Sequence, residues 1–385
     1  MFNFCGGENH SGMKLKRAHT SDFASSRFSD GNAPSANPLA AWSARHPVLA
    51  ILLISLLAMV VNCYPIIFCG RSFVGSIGIP MVYDHPPELP GLKSKSQIFT
   101  HGSDTGAMLV WAVPAGFIES RSLLDHGEIP LWNRYGHAGY TFIGQAVSML
   151  GDPLQLIVIC GRGSATAWDI KFLTAKFLFC VGFGLLIFRL LENLPLALIY
   201  AALAAYCGAF FYIFNHPVFF VFCYAPWILL SALAFWDLRP GRRVEWGLVW
   251  LLANFACFNA GHVEVAVALI GGLNFVALIF ALTFCRRIFD AAKVLGRAAA
   301  GTLLFLGLTA PVWMSFLATL PDSYSTHQTI GVFQLPFVTL IGAFDDVFFR
   351  LPLRNGTYAS PAPGTSLLIL AGGIFSALKW RQLKE

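Results

Sequence analysis

Residues 245–284 read EWGLVWLLANFACFNAGHVEVAVALIGGLNFVALIFALTF, with Arg242 and Arg243 just before them and Arg286 and Arg287 shortly after. Two apolar runs, 245–260 and 262–284, are joined by the short polar hairpin Asn259-Ala260-Gly261-His262. A bilayer core of about 30 Å needs about 20 helical residues to cross it. Only helices or closed barrels satisfy their backbone hydrogen bonds there. The cations sit at the outer flanks of the pair and the hairpin carries none. That is the signature of two membrane helices whose flanks face the cytoplasm and whose hairpin faces away from it.

The same pattern extends in both directions. Apolar runs recur at 47–68, 172–190, 195–214, 217–236, 298–318 and 365–379. The chain has 385 residues, of which 56% are hydrophobic and 12% charged, against about 25% charged in soluble domains. Alternating strand patterns are absent, so the reading is all-α and polytopic, with eight transmembrane helices. The first run starts too late and runs too long for a signal peptide, and is read as an uncleaved span. Residues 1–45, rich in Ser, Asn and Gly, are expected to be a disordered cytoplasmic terminus. The multispanning domain then covers 46–380, with a long extracytoplasmic loop over 70–170.

Charge supports this parse. With a cytoplasmic N-terminus, Arg189, Arg239 to Arg243, Arg286 to Arg297 and the tail from Lys379 all fall inside. The hairpins at His216 and His262 fall outside and carry no Lys or Arg. Both termini are then cytoplasmic. The net charge of +6, spread in this way, is a topology signal and excludes a nucleic-acid-binding surface. Within the outer loop, 104–126 is apolar but interrupted by Pro114, Gly116 and charges, which suits an interfacial helix. Residues 153–160 are too short to span, and fit a re-entrant or interfacial piece. Of nine cysteines, most lie in apolar runs as small hydrophobes. Cys69 and Cys160 share the outer side, where a disulfide and two free thiols are equally compatible with the sequence.

Three outer regions should converge. The long loop brings Asp104, Glu119, Asp125, Glu128 and Asp152; the hairpins bring His216, His262 and Glu264; the last loop brings Asp322, Asp345, Asp346 and Arg350. A carboxylate near the bilayer is costly and faces a cavity, a partner helix or the wet rim, which makes Glu264 informative. The two histidines read either as site groups or as helix-end residues. Asp345-Asp346 reads as a metal or base site, or as a solvated pair. Gly127-Glu128-Ile129-Pro130-Leu131-Trp132-Asn133-Arg134-Tyr135 reads by itself as a Gly/Pro-bounded turn with interfacial aromatics.

That last segment carries a resemblance. Continuing through Gly139 and Gln145 to Asp152-Pro153, it resembles the G-x-x-P-L-W-N-x-Y-x-x-x-G … Q … P signature in the first outer loop of YfhO-type bacterial membrane proteins. Asp104 falls where that family carries an acidic residue. Asn215-His216-Pro217 with Ala225-Pro226, the hairpin Asn259 to Glu264 (similar to "GGHPE", with Val263 in place of Pro) and Ala310-Pro311 with Leu320 to Ser323 follow in the family's order. These proteins are similar to GT-C-type membrane glycosyltransferases. The resemblance implies transfer of a sugar from a polyprenyl-phosphate donor to a cell-envelope acceptor, at the outer face of the bacterial cytoplasmic (inner) membrane. It places the catalytic base, or a ligand for a divalent metal, at Asp104. Trp132, Asn133, Arg134, Gln145, His216, His262, Glu264 and Arg350 are the substrate-binding candidates, the two arginines as guards of the leaving phosphate. Members of the family continue beyond the eighth span, so a short member, one half of a split protein or a fragment without activity is expected. Two further readings use the same residues: a non-catalytic transporter or flippase for a lipid-linked precursor, and a partial structural subunit.

Overall fold

The computed structural model describes residues 38–74, 107–135, 139–144, 148–207, 216–236, 243–285, 287–319 and 321. Short helices α1 (Pro38–Arg45) and α3 (Tyr64–Phe68) flank the apolar helix α2 (Pro47–Asn62). A π-helical stretch, Ala107–Ala112, runs directly into α4 (Val113–Asp125). A two-stranded ribbon, β1 (Trp132–Asn133) with β2 (Tyr140–Thr141), pairs antiparallel, Trp132 opposite Thr141. Next come α5 (Gln155–Cys160), α6 (Ala165–Leu191), α7 (Leu194–Ala204), α8 (Val218–Cys223), α9 (Ala225–Phe235), α10 (Arg243–Phe258), α11 (Val263–Thr283) and α12 (Ile288–Thr319).

The helices start where the sequence offers caps. Ser164 accepts a hydrogen bond from the Ala167 amide at the head of α6, and Asn193 accepts one from Leu196 at the head of α7, each satisfying an amide that the helix leaves open. Pro226 has no N–H to continue a helix; α8 and α9 meet at Tyr224, two residues before it. Expected and observed helices coincide at 47–62, 217–236, 245–258 and 263–283. Helix α6 begins seven residues before the expected span, because Ser164 rather than the first apolar residue sets its start. Helix α12 likewise begins ten residues early, with Asp290 in its first turn and Lys293 in its second. The first half of the 195–214 run is helical. The 365–379 run and residues 1–37 lie outside the described residues.

Among the described residues, four helices are long and apolar enough to cross a membrane: Ala165–Leu191, Val218–Phe235 (α8 and α9 together), Val263–Thr283 and Ile288–Thr319. Their exposed faces carry Val267, Phe275, Val276, Ile279, Leu303, Leu304 and Leu317. So large an apolar exterior suits lipid rather than water, and the fold is that of an all-α, membrane-embedded protein. The α8–α9 rod sits at the centre. Phe219 and Phe220 pack on Phe172 of α6, the Trp227 indole donates to the Leu178 carbonyl, and Phe235 and Trp236 lie against Trp250 of α10. Polar groups join helices from within. Trp250 donates to Asn274 at 2.6 Å, and Asn274 to Asn254 at 2.8 Å, tying α10 to α11, as interhelical hydrogen bonds do where lipid gives no hydrophobic drive.

These contacts fix direction. Ile51 meets Gly184 while Asn62 meets Lys176, so α2 runs antiparallel to α6. Phe172 against Phe220 and Gly182 against Trp227 make α6 and the central rod parallel. Helix ends therefore collect at two poles. One holds Arg45, Arg189, Arg243, Arg287 and Lys293. The other holds α3, α4, the ribbon, α5 and both histidine hairpins.

Candidate functional site

The second pole is where the separate segments meet. The His216 and His262 rings stand 5.7 Å apart. Gly261, at φ 122°, lies against Pro217 and Met149, and Gly151 lies against Asn259. The Ser315 hydroxyl, near the end of α12, donates to the Ile143 carbonyl at 3.1 Å. Helix α4 is seated on α5 and α6 through Gly116. A Cβ there would stand 2.9 Å from Val158 and 3.0 Å from Trp168, so the glycine that interrupts the apolar run in sequence is what lets the helices touch.

Beneath this surface is a buried polar chain. Tyr224 Oη donates to Asp152 Oδ1 at 2.5 Å. The other carboxylate oxygen, Oδ2, faces Lys171 Nζ at 2.9 Å as an ion pair. Lys171 also donates to Gln155 Oε1 at 2.7 Å, and Gln155 Nε2 donates to Glu119 Oε2 at 2.7 Å. All but Tyr224 are 2% exposed or less. The ammonium has further soft neighbours: Met149 Sδ at 2.9 Å and the Phe220 and Trp168 rings at 4.4 and 5.3 Å. Cation–π contacts of this kind gain strength where water is excluded. One chain thus links α4, the turn before α5, α5, α6 and the break between α8 and α9.

Glu119 ends that chain. Its Oε1 is buried with no hydrogen-bond partner. Burial pushes its carboxyl up from 4.5 to about 8, against the smaller lowering by Gln155 and Lys171, because desolvation penalises the charged form.

The residues singled out in the sequence fall into three groups. His216, His262 and Glu264 come together: His262 Nδ1 lies 3.5 Å from Glu264 Oε2, whose side chain is 71% exposed. His216 Nδ1 accepts from the Val218 amide at 3.2 Å. The PLWN segment forms the ribbon at the same pole. Asn133 is buried and its Oδ1 accepts from the Tyr135 amide at 2.9 Å, a local turn-forming bond. Trp132 and Tyr135 are exposed, and Arg134 is an exposed partner of Glu128 at 3.2 Å. Asp104, Gln145, Asp322, Asp345, Asp346 and Arg350 lie outside the described residues. Of the remaining loop acids, Asp125 pairs with Arg162 at the surface. Cys69 and Cys160 are both exposed free thiols.

Lys171, Gln155 and Tyr224 were not singled out by the sequence reading. A signal existed for the first: Lys171 and Lys176 interrupt an apolar helix, and cations inside such helices face partners. Lys176 indeed bonds Asn62. Among the described residues no group of three or more His, Cys, Asp or Glu is placed to hold a metal ion. No protein-family description, curated protein or solved structure matches the chain.

Proposed function

We propose that the protein is a GT-C-like membrane glycosyltransferase, similar to YfhO-type proteins, that moves a sugar from a polyprenyl-phosphate donor to a cell-envelope acceptor. On this reading the eight apolar runs are spans, both termini are cytoplasmic, and the pole built from α3 to α5 and the histidine hairpins faces outward from the bacterial inner membrane. The observation that supports it most is the gathering of the PLWN ribbon, the His216 and His262 hairpins and the loop carboxylates at one pole, away from the basic helix ends. A lipid-linked donor presents its phosphosugar at the membrane interface, so its site belongs at such a pole.

Asp104 is the proposed base, taking the proton of the acceptor hydroxyl as that oxygen attacks the anomeric carbon. The bond from that carbon to the phosphate oxygen breaks, polyprenyl phosphate leaves with the electron pair, and the anomeric centre inverts. Arg134 or Arg350 offsets the charge developing on the phosphate. The exposed Trp132 and Tyr135 rings offer apolar faces for the sugar, and His216, His262, Glu264, Asn133 and Gln145 shape its surroundings. A divalent metal at Asp104 is compatible with the same chemistry.

The test is reconstitution in liposomes with radiolabelled polyprenyl-phosphate sugars and an envelope acceptor fraction. Transfer of label to the acceptor is expected. Passage of the labelled lipid across the bilayer without transfer would instead support a flippase, the reading favoured by the buried ionisable chain around Lys171, since such groups line substrate and proton paths.

A further inference from the structure

Charge balance in the buried chain points to a ligand. Two carboxyl groups, Asp152 and Glu119, share one cation, Lys171, in a site from which water is excluded. The ionised pair Lys171–Asp152 is already neutral. A second negative charge there would be uncompensated, and an unpaired buried charge is among the costliest arrangements in a protein. Among the described residues, two buried carboxylate oxygens lack a hydrogen bond: Asp152 Oδ2, which faces the Lys171 ammonium at 2.9 Å, and Glu119 Oε1, which faces no cation. We infer that Glu119 is a proton-binding site, holding one exchangeable proton at physiological pH that it gives up in alkali.

The surroundings agree from every side. Among the described residues, the charged groups acting on Glu119 are Lys171 from α6 and Asp152 from the turn before α5. Tyr224 acts through Asp152. Helix α5 contributes the neutral amide of Gln155, and Ser120 beside it donates to the Gly116 carbonyl within α4. The upward shift to about 8 has desolvation as its main cause. Its consequence for stability has a definite sign. Between 4.5 and about 8 the folded carboxyl keeps a proton that the unfolded one has lost. Stability therefore falls as pH rises through that window and levels off above it. Because α4 is held to α5 and α6 partly through this group, proton release loosens the outer pole where the ribbon sits.

The proton can be seen directly. Infrared difference spectra of the full chain in lipid nanodiscs, between about pH 6 and about pH 10, should contain a carboxylic acid C=O band. The band should shift on glutamate carbon-13 labelling and vanish with a midpoint near 8. Glu119→Gln should lack it. Asp152→Asn should lack it too at about pH 6, because Glu119 then becomes the counterion of Lys171. Absence of any labelled acid band in the wild-type protein, or its persistence in either variant, would overturn the assignment. The wild-type titration decides the matter even where a variant fails to accumulate. The readout needs no transfer activity, so it stands apart from the proposed reaction.

Discussion

Asp152→Ala should destabilise the protein by about 3–5 kcal/mol, the range for removing one member of a buried ion pair. The ammonium of Lys171 is fully enclosed, so the variant removes its direct ion-pair partner, and Glu119, linked to it only through Gln155, must release its own buried proton to take that place. Tyr224 loses its acceptor in the same step, and a buried hydroxyl without a partner carries its own cost. The soft contacts to Met149, Phe220 and Trp168 recover only part of this. Replacing both members, Lys171→Met with Asp152→Leu, should return most of the loss, because two apolar groups of similar volume carry no desolvation penalty. Thermal unfolding of purified protein in detergent measures both. A single variant as stable as wild type would mean that the pair is not buried as described.

On the proposed reaction, Asp104→Asn should lower sugar transfer by about 10²–10⁴-fold, the contribution of a positioned general base. The amide is nearly isosteric with the carboxyl, so donor binding should persist and the loss should fall on kcat rather than KM. Glu264→Gln is the informative comparison. Its side chain is exposed beside His262, at the rim of the proposed site, and a smaller loss expressed mainly in KM is expected. Full transfer by Asp104→Asn at matched expression would remove that residue from the mechanism and leave the buried carboxylates as the next candidates.

The helices were legible because hydropathy and caps are local properties. The run 245–284 reads as two helices and a hairpin from its own residues, and α10 and α11 lie there. That the two histidine hairpins share a pole followed from counting turns of an alternating chain. What the sequence did not disclose was pairing at a distance. Asp152 reads as one more loop acid until α8 and α9, 72 residues on, bring Tyr224 to it. The apolar run over 172–190 begins just after Lys171, yet Ser164 starts the helix earlier and makes the lysine its seventh residue. Conversely, Glu264 drew attention for its cost beside the membrane, and it is Glu119 and Asp152 that are enclosed. Position along a helix was readable; the neighbours on the other side were not.

The central claim is that α3, α5 and the histidine hairpins crowd a single pole on the non-cytoplasmic side. Cys69 and Cys160, exposed free thiols at that pole, and Cys285, at the basic end of α11, are natural reporters. A membrane-impermeant maleimide applied to intact spheroplasts, read out by peptide mass spectrometry, should modify Cys69 and Cys160 and spare Cys285 until the membrane is opened. Modification of Cys285 first, with Cys69 and Cys160 reached only after permeabilisation, would turn the molecule over and take the proposed chemistry away from its donor.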